Sequence, residues 1–507
     1  MKDSSFSFVT KRCSALTEDE MNSASALFSN NYGSYSLSHP VSKFRGRQIR
    51  LPPSYYQRLT EKPCNYVAFA YYKERLIGQA FYVVEQSGKG KMTWVIQLVV
   101  DKAFRRRQVA KKLLFSIWGF SNDFAWGLAT TNPVTIKTLE SATMRKVSLS
   151  SMQKNVSYIK QASKNIEFVN EDTIEISENN STVNSTFFVS HNDIPKLINS
   201  YGKNWIFGDL QEGYEWLAFA FKSQDLKPIS KKDFEKIIAH SEKCLVDAYS
   251  RMDMKNHPWT KYTRDEVDYM EQFIPIASGK DSVIVDVGCG IGRHVAELYR
   301  RGYKNVYGYD FSNRLLEDAK TNNPEIADRF LLGDFRSFCP PQKADFVICV
   351  YDVIGSFADQ RQNDKIVRNI KKMLKKGGRA IVSVMNMELT GNVARHKFDV
   401  YANPKSLFKL KASSVMQETG NIFNPDYYVI DTHSGAVFRK EMFTNDGYLD
   451  SEYIVRDRRY TMAEICAMFK KHGMSVLDAR YVQAGRWDFS LKNTDLKAKE
   501  ILLVAQK

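Results

Sequence analysis

Ser282-Val-Ile-Val-Asp286-Val-Gly288-Cys-Gly290-Ile-Gly292-Arg293 reads as a buried strand running into a glycine-rich turn. A helix follows, with Val295, Ala296, Leu298 and Tyr299 on its apolar side, and then a second strand, 305–309, ending in Asp310. Glycines let the backbone turn sharply and approach a ligand without Cβ clashes. The spacing argues against a dinucleotide. That ligand wants its third glycine one residue later, so that a pyrophosphate meets the helix N-terminus. Asp286, just before the turn, would also repel a pyrophosphate and suits a cationic ligand. Asp310 at the end of the second strand is placed to accept hydrogen bonds from ribose hydroxyls. Further along, Gly333-Asp334-Phe335 offers a carboxylate to an adenine amine.

Together these features resemble class I S-adenosylmethionine-dependent methyltransferases, over residues from about 256 to 507. Asp286–Gly292 resembles the family's first motif, Asp310 its ribose acid and Gly333–Phe335 its adenine turn. Residues 344–357 resemble the fourth strand and its loop, and Leu374–Val384 the turn into the fifth strand. The preceding helix is amphipathic, with Ile366, Val367, Ile370, Met373 and Leu374 at helical spacing. The resemblance implies S-adenosylmethionine as cofactor. It implies Asp286, Gly288, Gly290, Gly292, Asp310, Phe311, Asp334, Phe335 and Tyr351 as its binding residues.

The acceptor is less legible. The Asn/Asp-Pro-Pro-aromatic signature of DNA amino-methyltransferases and the Pro-Cys of the cytosine-C5 type are both missing from Val350-Tyr351-Asp352-Val353-Ile354-Gly355. Tyr351 and Asp352 would face the methyl group and orient or deprotonate an acceptor, although Tyr351 reads equally well as packing on the cofactor. An insertion from Met387 to about Val455 has alternating segments, 426–432 and 436–443. They read as an antiparallel hairpin around His433-Ser434-Gly435, and a further strand is expected in 448–456. Such insertions resemble the caps of enzymes acting on small molecules. His433 is a turn residue first and a catalytic candidate second. Arg456-Asp-Arg-Arg-Tyr460 reads as an anion reader or a solvated face.

Nearer the N-terminus, a strand at 94–100 is followed by Arg105-Arg106-Arg107-Gln108-Val109-Ala110 and a helix over 111–120. A second strand, 124–130, leads to Asn132-Pro133 and a helix carrying Glu140. Residues from about 60 to 146 resemble the GNAT N-acetyltransferases, whose loop of this type cradles the pyrophosphate of acetyl-coenzyme A. The resemblance implies Arg105–Ala110 and Asn132 as cofactor-binding. Gln108 stands where a glycine is usual, the general-acid tyrosine is replaced by Glu140, and no carboxylate lies on 94–100. Fold is therefore better supported than activity, and docking or recognition is the alternative role.

The 507 residues are too many for one ordinary domain, and 43% hydrophobic, 13% aromatic and 26% charged residues are a globular composition. No apolar run reaches the length of a membrane span, and Met1–Cys13 has the polar character of a chain without a secretory signal. Seven scattered cysteines with no CxxC pair argue against disulfides and structural zinc and for a reducing, cytoplasmic setting; no metal is expected. A net charge of +16 makes anionic partners plausible. Residues 39–63 interleave Lys43, Arg45, Arg47, Arg50, Arg58 and Lys62 with Tyr55 and Tyr56, a pattern suited to nucleic acid or to a solvated loop. Residues 165–191 read as two strands, 166–169 and 186–190, around a polar turn at 178–185.

The expected architecture is α/β. A GNAT-like domain (1–195) is joined by a packed helical and aromatic connector (196–255) to a Rossmann-like methyltransferase domain (256–507) with a β-rich cap at about 387–455. Trp205, Phe207, Tyr214, Trp216, Phe219 and Phe221 want burial, which reads as packing between domains. Tyr249, Trp259 and Tyr262 are expected as lid residues. The acceptor is expected to be a small or medium-sized molecule, with a tRNA-like acceptor as the alternative.

Overall fold

The computed structural model describes residues 6–190, 194–249, 258–414, 422–443 and 451–507. The chain divides into two compact units, Met1–Ala248 with Met442–Tyr453, and Tyr249–Glu441 with Ile454–Lys507. Among the described residues no helix is long and apolar enough to cross a membrane.

The first unit is built on an eight-stranded sheet. Its strands follow the spatial order Phe6–Arg12, Asn65–Tyr72, Arg75–Ser87, Gly90–Val100, Ala125–Thr130, Gly213–Phe221, Ser181–Phe187 and Glu175–Ile176. Gly90–Val100 and Ala125–Thr130 run parallel, joined by the crossover helix Val109–Trp118. Of the aromatic stretch expected as an interdomain connector, Tyr214, Trp216, Phe219 and Phe221 lie instead on a strand of this sheet, and Trp205 and Phe207 precede it. Gly213–Phe221 pairs with Ala125–Thr130 on one side and Ser181–Phe187 on the other. Its side chains from Glu215 to Phe221 are buried because the strand is central. The expected pair of strands at 166–169 and 186–190 is also displaced. The hairpin is Glu175–Ile176 with Ser181–Phe187, so most of the segment read as a polar turn is strand.

The second unit holds an eight-stranded sheet in the order Phe330–Leu332, Val306–Asp310, Ile284–Val287, Ala344–Cys349, Leu374–Met385, Glu500–Gln506, Ser475–Gln483, Arg486–Leu491. The first five are parallel, and Glu500–Gln506 is antiparallel to both its neighbours. Ala344–Cys349 is buried throughout, as a central parallel strand covered on both faces must be. Helix Gln360–Met373 is capped by Asp359, whose side chain accepts from Arg361 N–H, and buries Ile366, Val367, Ile370 and Met373 as its spacing predicts. Helix Arg293–Arg300 departs in one detail. Tyr299 is exposed, while the polar His294 and Glu297 are buried.

The insertion after Leu374–Met385 carries a four-stranded sheet, in the order Lys397–Phe398, Tyr428–Asp431, Val437–Phe443, Ser451–Asp457. The hairpin turn falls at His433-Ser434-Gly435 as read from the sequence. The strand expected in 448–456 appears as Ser451–Asp457, with 448–450 outside the described residues.

Candidate functional site

The glycine turn sits where Ile284–Val287 leaves the sheet. Gly288, Gly290 and Gly292 have φ of 78°, 54° and 78°, a left-handed backbone that L side chains rarely adopt. Glycine is also required for space at two of them. A Cβ on Gly288 would meet the Val353 side chain at 2.5 Å, and one on Gly292 the Phe330 ring at 2.2 Å. Gly290 faces open space. The turn is anchored from the next strand. Gly288 and Cys289 N–H donate to the Tyr309 carbonyl at 2.8 and 3.1 Å. Gly290 N–H donates to Asp310 Oδ2 at 3.0 Å, and Ser312 N–H to Oδ1 at 2.8 Å. Burial raises the Asp310 carboxyl above the usual carboxylate range, against the pull of these N–H groups. Beside it, Phe311 is 59% exposed, a large apolar face turned to solvent.

Asp286 is buried, and its Oδ2 has no hydrogen-bond partner among the described residues. His294 Nδ1 lies 3.6 Å from that oxygen, and His294 Nε2 meets Glu266 at 2.7 Å. Glu266 also pairs with Arg293 and accepts from the Tyr351 hydroxyl. Burial alone would raise the Glu266 carboxyl, but the hydrogen bonds and charges of His294 and Arg293 hold it below its ordinary value. The Arg293 guanidinium lies 4.9 Å above the Tyr351 ring.

Tyr351 and Asp352, the residues leaving Ala344–Cys349, have φ of 60° and 63°. Two adjacent non-glycine residues in this region store strain of the kind found at functional sites. Tyr351 N–H donates to Ser383 Oγ at 2.8 Å, fixing the bend. Burial first, then the Glu266 charge, pushes the Tyr351 hydroxyl far up, so it acts as a donor and not as a phenolate base. The Asp352 carbonyl accepts from Ser356 N–H, while its side-chain Oδ1 is buried with no partner among the described residues. Burial, and then Asp457, drives the Asp352 carboxyl well above its ordinary range, with Arg439 and Arg459 opposing.

Glu500 joins this group without any signal in the sequence. It begins the antiparallel strand, opposite Met385, and is 8% exposed. Its Oε2 has no partner among the described residues. Burial, and then Glu266, pushes its carboxyl up to about 8.

The remaining sequence candidates fall elsewhere. Phe335 is buried in the core, with its ring 5.7 Å from Tyr309 and 6.2 Å from Phe338, so it does not wall a ligand. Asp334 is engaged by the Arg336 guanidinium at 2.6 Å, itself 4.3 Å over the Phe357 ring, so an adenine would compete with that pair. His433 is exposed on the hairpin turn. Tyr262 lies under Arg486, while the side chains of Tyr249 and Trp259 lie outside the described residues.

In the first unit, Gln108 and Arg106 have φ of 64° and 63°. The loop therefore takes the backbone a glycine would favour, at a strain cost of about 1 kcal/mol or more per residue. Arg105 is tied to the Val100 and Asn31 carbonyls, and Arg107 lies over the rings of Phe6, Tyr72 and Phe104. Val109 is buried at the helix start, with Ala110 half-buried beside it. Asn132 caps the later helix through Val134 N–H at 2.9 Å. Glu140 accepts from Val147 N–H at 3.0 Å and pairs with Lys137. Pairing shifts by one residue at Ile96, and the parallel pair ends at Val95–Leu128, so the two strands part beyond that point. Tyr56 is fully buried and unavailable for base stacking.

Residues 284–378 match the family described as a methyltransferase domain, and residues 33–118 match the acetyltransferase (GNAT) family. No curated protein matches the sequence. Among solved structures, an S-adenosylmethionine-dependent methyltransferase from Clostridium acetobutylicum is 14% identical with a TM-score of 0.35, over 52% of this chain and 97% of that one. The CcbJ methyltransferase from Streptomyces caelestis is 15% identical with a TM-score of 0.37, over 52% and 95%. CalS10, an amino pentose methyltransferase from Micromonospora echinaspora, is 17% identical with a TM-score of 0.30, over 50% and 93%. The chain thus carries a methyltransferase domain and a GNAT-type domain. By the first of these it is a methyltransferase.

Proposed function

We propose that the chain transfers a methyl group from S-adenosylmethionine to a nitrogen or oxygen nucleophile of a small or medium-sized acceptor. One observation carries this reading: a buried, partnerless Asp286 oxygen beside three left-handed glycines, with Asp310 bonded to the same turn. Bound there, S-adenosylmethionine would supply an electrophilic methyl on a sulfonium. Asp286 would take its ammonium, Asp310 its ribose hydroxyls and Phe311 a face of its adenine. Arg293, His294 and Tyr351, locked together through Glu266, would fix the floor of the reacting end. Asp352 would orient the acceptor. Catalysis is then chiefly positioning of two reactants.

The test uses methyl-tritiated S-adenosylmethionine and a cell extract split into small molecules and RNA. Label in the small-molecule fraction is expected. Label confined to tRNA would replace this acceptor class with the nucleic-acid alternative.

A second reading concerns the first unit, and the left-handed backbone at Arg106 and Gln108 favours it. The loop between Gly90–Val100 and helix Val109–Trp118 carries the arginines to a helix N-terminus, a place that favours an anion, and acetyl-coenzyme A would supply one. Arg106→Ala with Arg107→Ala should weaken acetyl-coenzyme A binding about tenfold or more while leaving S-adenosylhomocysteine binding unchanged. No calorimetric signal from wild-type protein at millimolar acetyl-coenzyme A would favour a docking role instead.

A further inference from the structure

Methyl transfer makes no use of the basic stretch at 39–63, yet the first part of it has a definite shape. After helix Glu18–Asn31 the chain forms a loop that closes where Ser34 bridges Gln48. Tyr35 N–H donates to the Arg47 carbonyl at 2.9 Å, and Ile49 N–H to the Gly33 carbonyl at 2.9 Å. The inside of the loop is a cluster of rings. His39 is buried, with its ring 5.0 Å from Tyr35, 5.2 Å from Phe44 and 5.3 Å from Phe188. Glu212 accepts from the Ser36 and Ser38 hydroxyls. The outside is apolar and cationic. Leu37 is 79% exposed, Val41 46% and Phe44 36%. Lys43, Arg45 and Arg47 are exposed among them, with Arg50 just beyond. No acidic residue occurs in 33–60. None of these four cations has a carboxylate partner among the described residues. The apolar and charged groups touch one surface. Gly46, between Arg45 and Arg47, has a φ of 66°, and a Cβ on it would meet the Leu37 side chain at 3.1 Å. Lys43 Nζ lies 5.1 Å from the centre of the Phe44 ring, and Arg45 Nε donates to the His39 carbonyl at 2.8 Å.

Single exposed apolar residues need no explanation, but a cluster of them on one closed loop marks a contact surface. A nucleic acid would use the cations and leave the aliphatic side chains idle, since bases stack on aromatic faces. The tyrosines of this stretch are not displayed for that purpose. Tyr56 is fully buried, and Tyr55 packs edge-on to it with the Arg58 guanidinium 5.5 Å over its ring. A bilayer bearing anionic lipid answers both halves of the surface, with hydrocarbon for Leu37 and Val41 and negative headgroups for the cations around them. We propose that the loop closed by Ser34 and Gln48 docks the first unit on an anionic membrane surface. Leu37, Val41 and Phe44 enter the boundary between headgroups and acyl chains, and Lys43, Arg45, Arg47 and Arg50 pair with the headgroups. One loop with so few apolar side chains gives peripheral, reversible attachment.

Cosedimentation of the full chain with vesicles tests this, using phosphatidylcholine alone and phosphatidylcholine mixed with phosphatidylglycerol. The mixed vesicles are expected to bind the wild type about tenfold or more tightly than the neutral ones, and added salt should weaken that binding. Two double variants separate the halves of the surface. Leu37→Ser with Val41→Ser should lower partition into mixed vesicles about tenfold or more. Lys43→Gln with Arg47→Gln should do the same through charge. Thermal melting of each variant alongside the wild type reports that it folds, and the comparison of the two vesicle types needs no variant. A tRNA titration of the same proteins supplies the nucleic-acid arm. Absence of binding to mixed vesicles, or equal binding to both types, would overturn the proposal. So would vesicle binding that falls with the charge pair but is untouched by the serine pair, or tRNA binding without vesicle binding, either of which makes the loop a general polyanion surface.

Discussion

Asp310→Ala is expected to lower affinity for S-adenosylhomocysteine more than about a hundredfold. The carboxylate stands at the end of Val306–Asp310 and holds the glycine turn through Gly290 N–H and Ser312 N–H. Two charge-assisted hydrogen bonds to ribose hydroxyls, each worth about 1.5–3 kcal/mol, would be lost. The substitution also leaves the Gly290 N–H without its carboxylate. Asp310→Asn separates the two effects, since it keeps a side-chain acceptor for the turn while removing the charge. Isothermal calorimetry is the measurement. Undiminished affinity in Asp310→Ala would take this residue out of the site.

Trp216→Ala is expected to destabilise the first unit by about 3–5 kcal/mol, the usual cost of truncating a buried tryptophan. The side chain is fully buried, and its ring meets Trp205 edge-on with centroids 4.8 Å apart. Its backbone is held on both sides, opposite Thr130 and Thr182. Differential scanning calorimetry should show the transition of the first unit shifted strongly downward. A loss below about 1 kcal/mol, typical of surface positions, would mean that Gly213–Phe221 is not a central strand.

That strand shows where the sequence is ambiguous. Six large aromatics in a short stretch demand burial, but burial alone does not say against what. The alternation that would mark a strand is hidden because Gly213–Phe221 is covered on both faces. The glycine turn is the opposite case. Its strand, turn, helix and terminal aspartate are local features, so chain order alone places Asp286, Gly288, Gly290, Gly292 and Asp310 together. Tyr351 and Asp352 are legible for the same reason, since they leave the strand next to the one that bears the turn. Glu266 and Glu500 are not. One arrives from a helix preceding the sheet and the other from a strand that returns antiparallel near the C-terminus, and neither carries a motif. Phe335 and His433 mislead in complementary ways. Phe335 follows a binding motif but turns into the core, and His433 has suitable chemistry but lies on an exposed turn. Gln108 is instructive as well: a missing glycine changes the strain of a loop without preventing its shape.

The Asp286–Asp310 cradle is expected to hold S-adenosylmethionine. Titration of the wild-type chain with S-adenosylhomocysteine, with NAD as a parallel titrant, tests it most directly. Saturable binding of S-adenosylhomocysteine with one site per chain and no measurable NAD binding is the predicted result. Binding of NAD in its place would contradict the account.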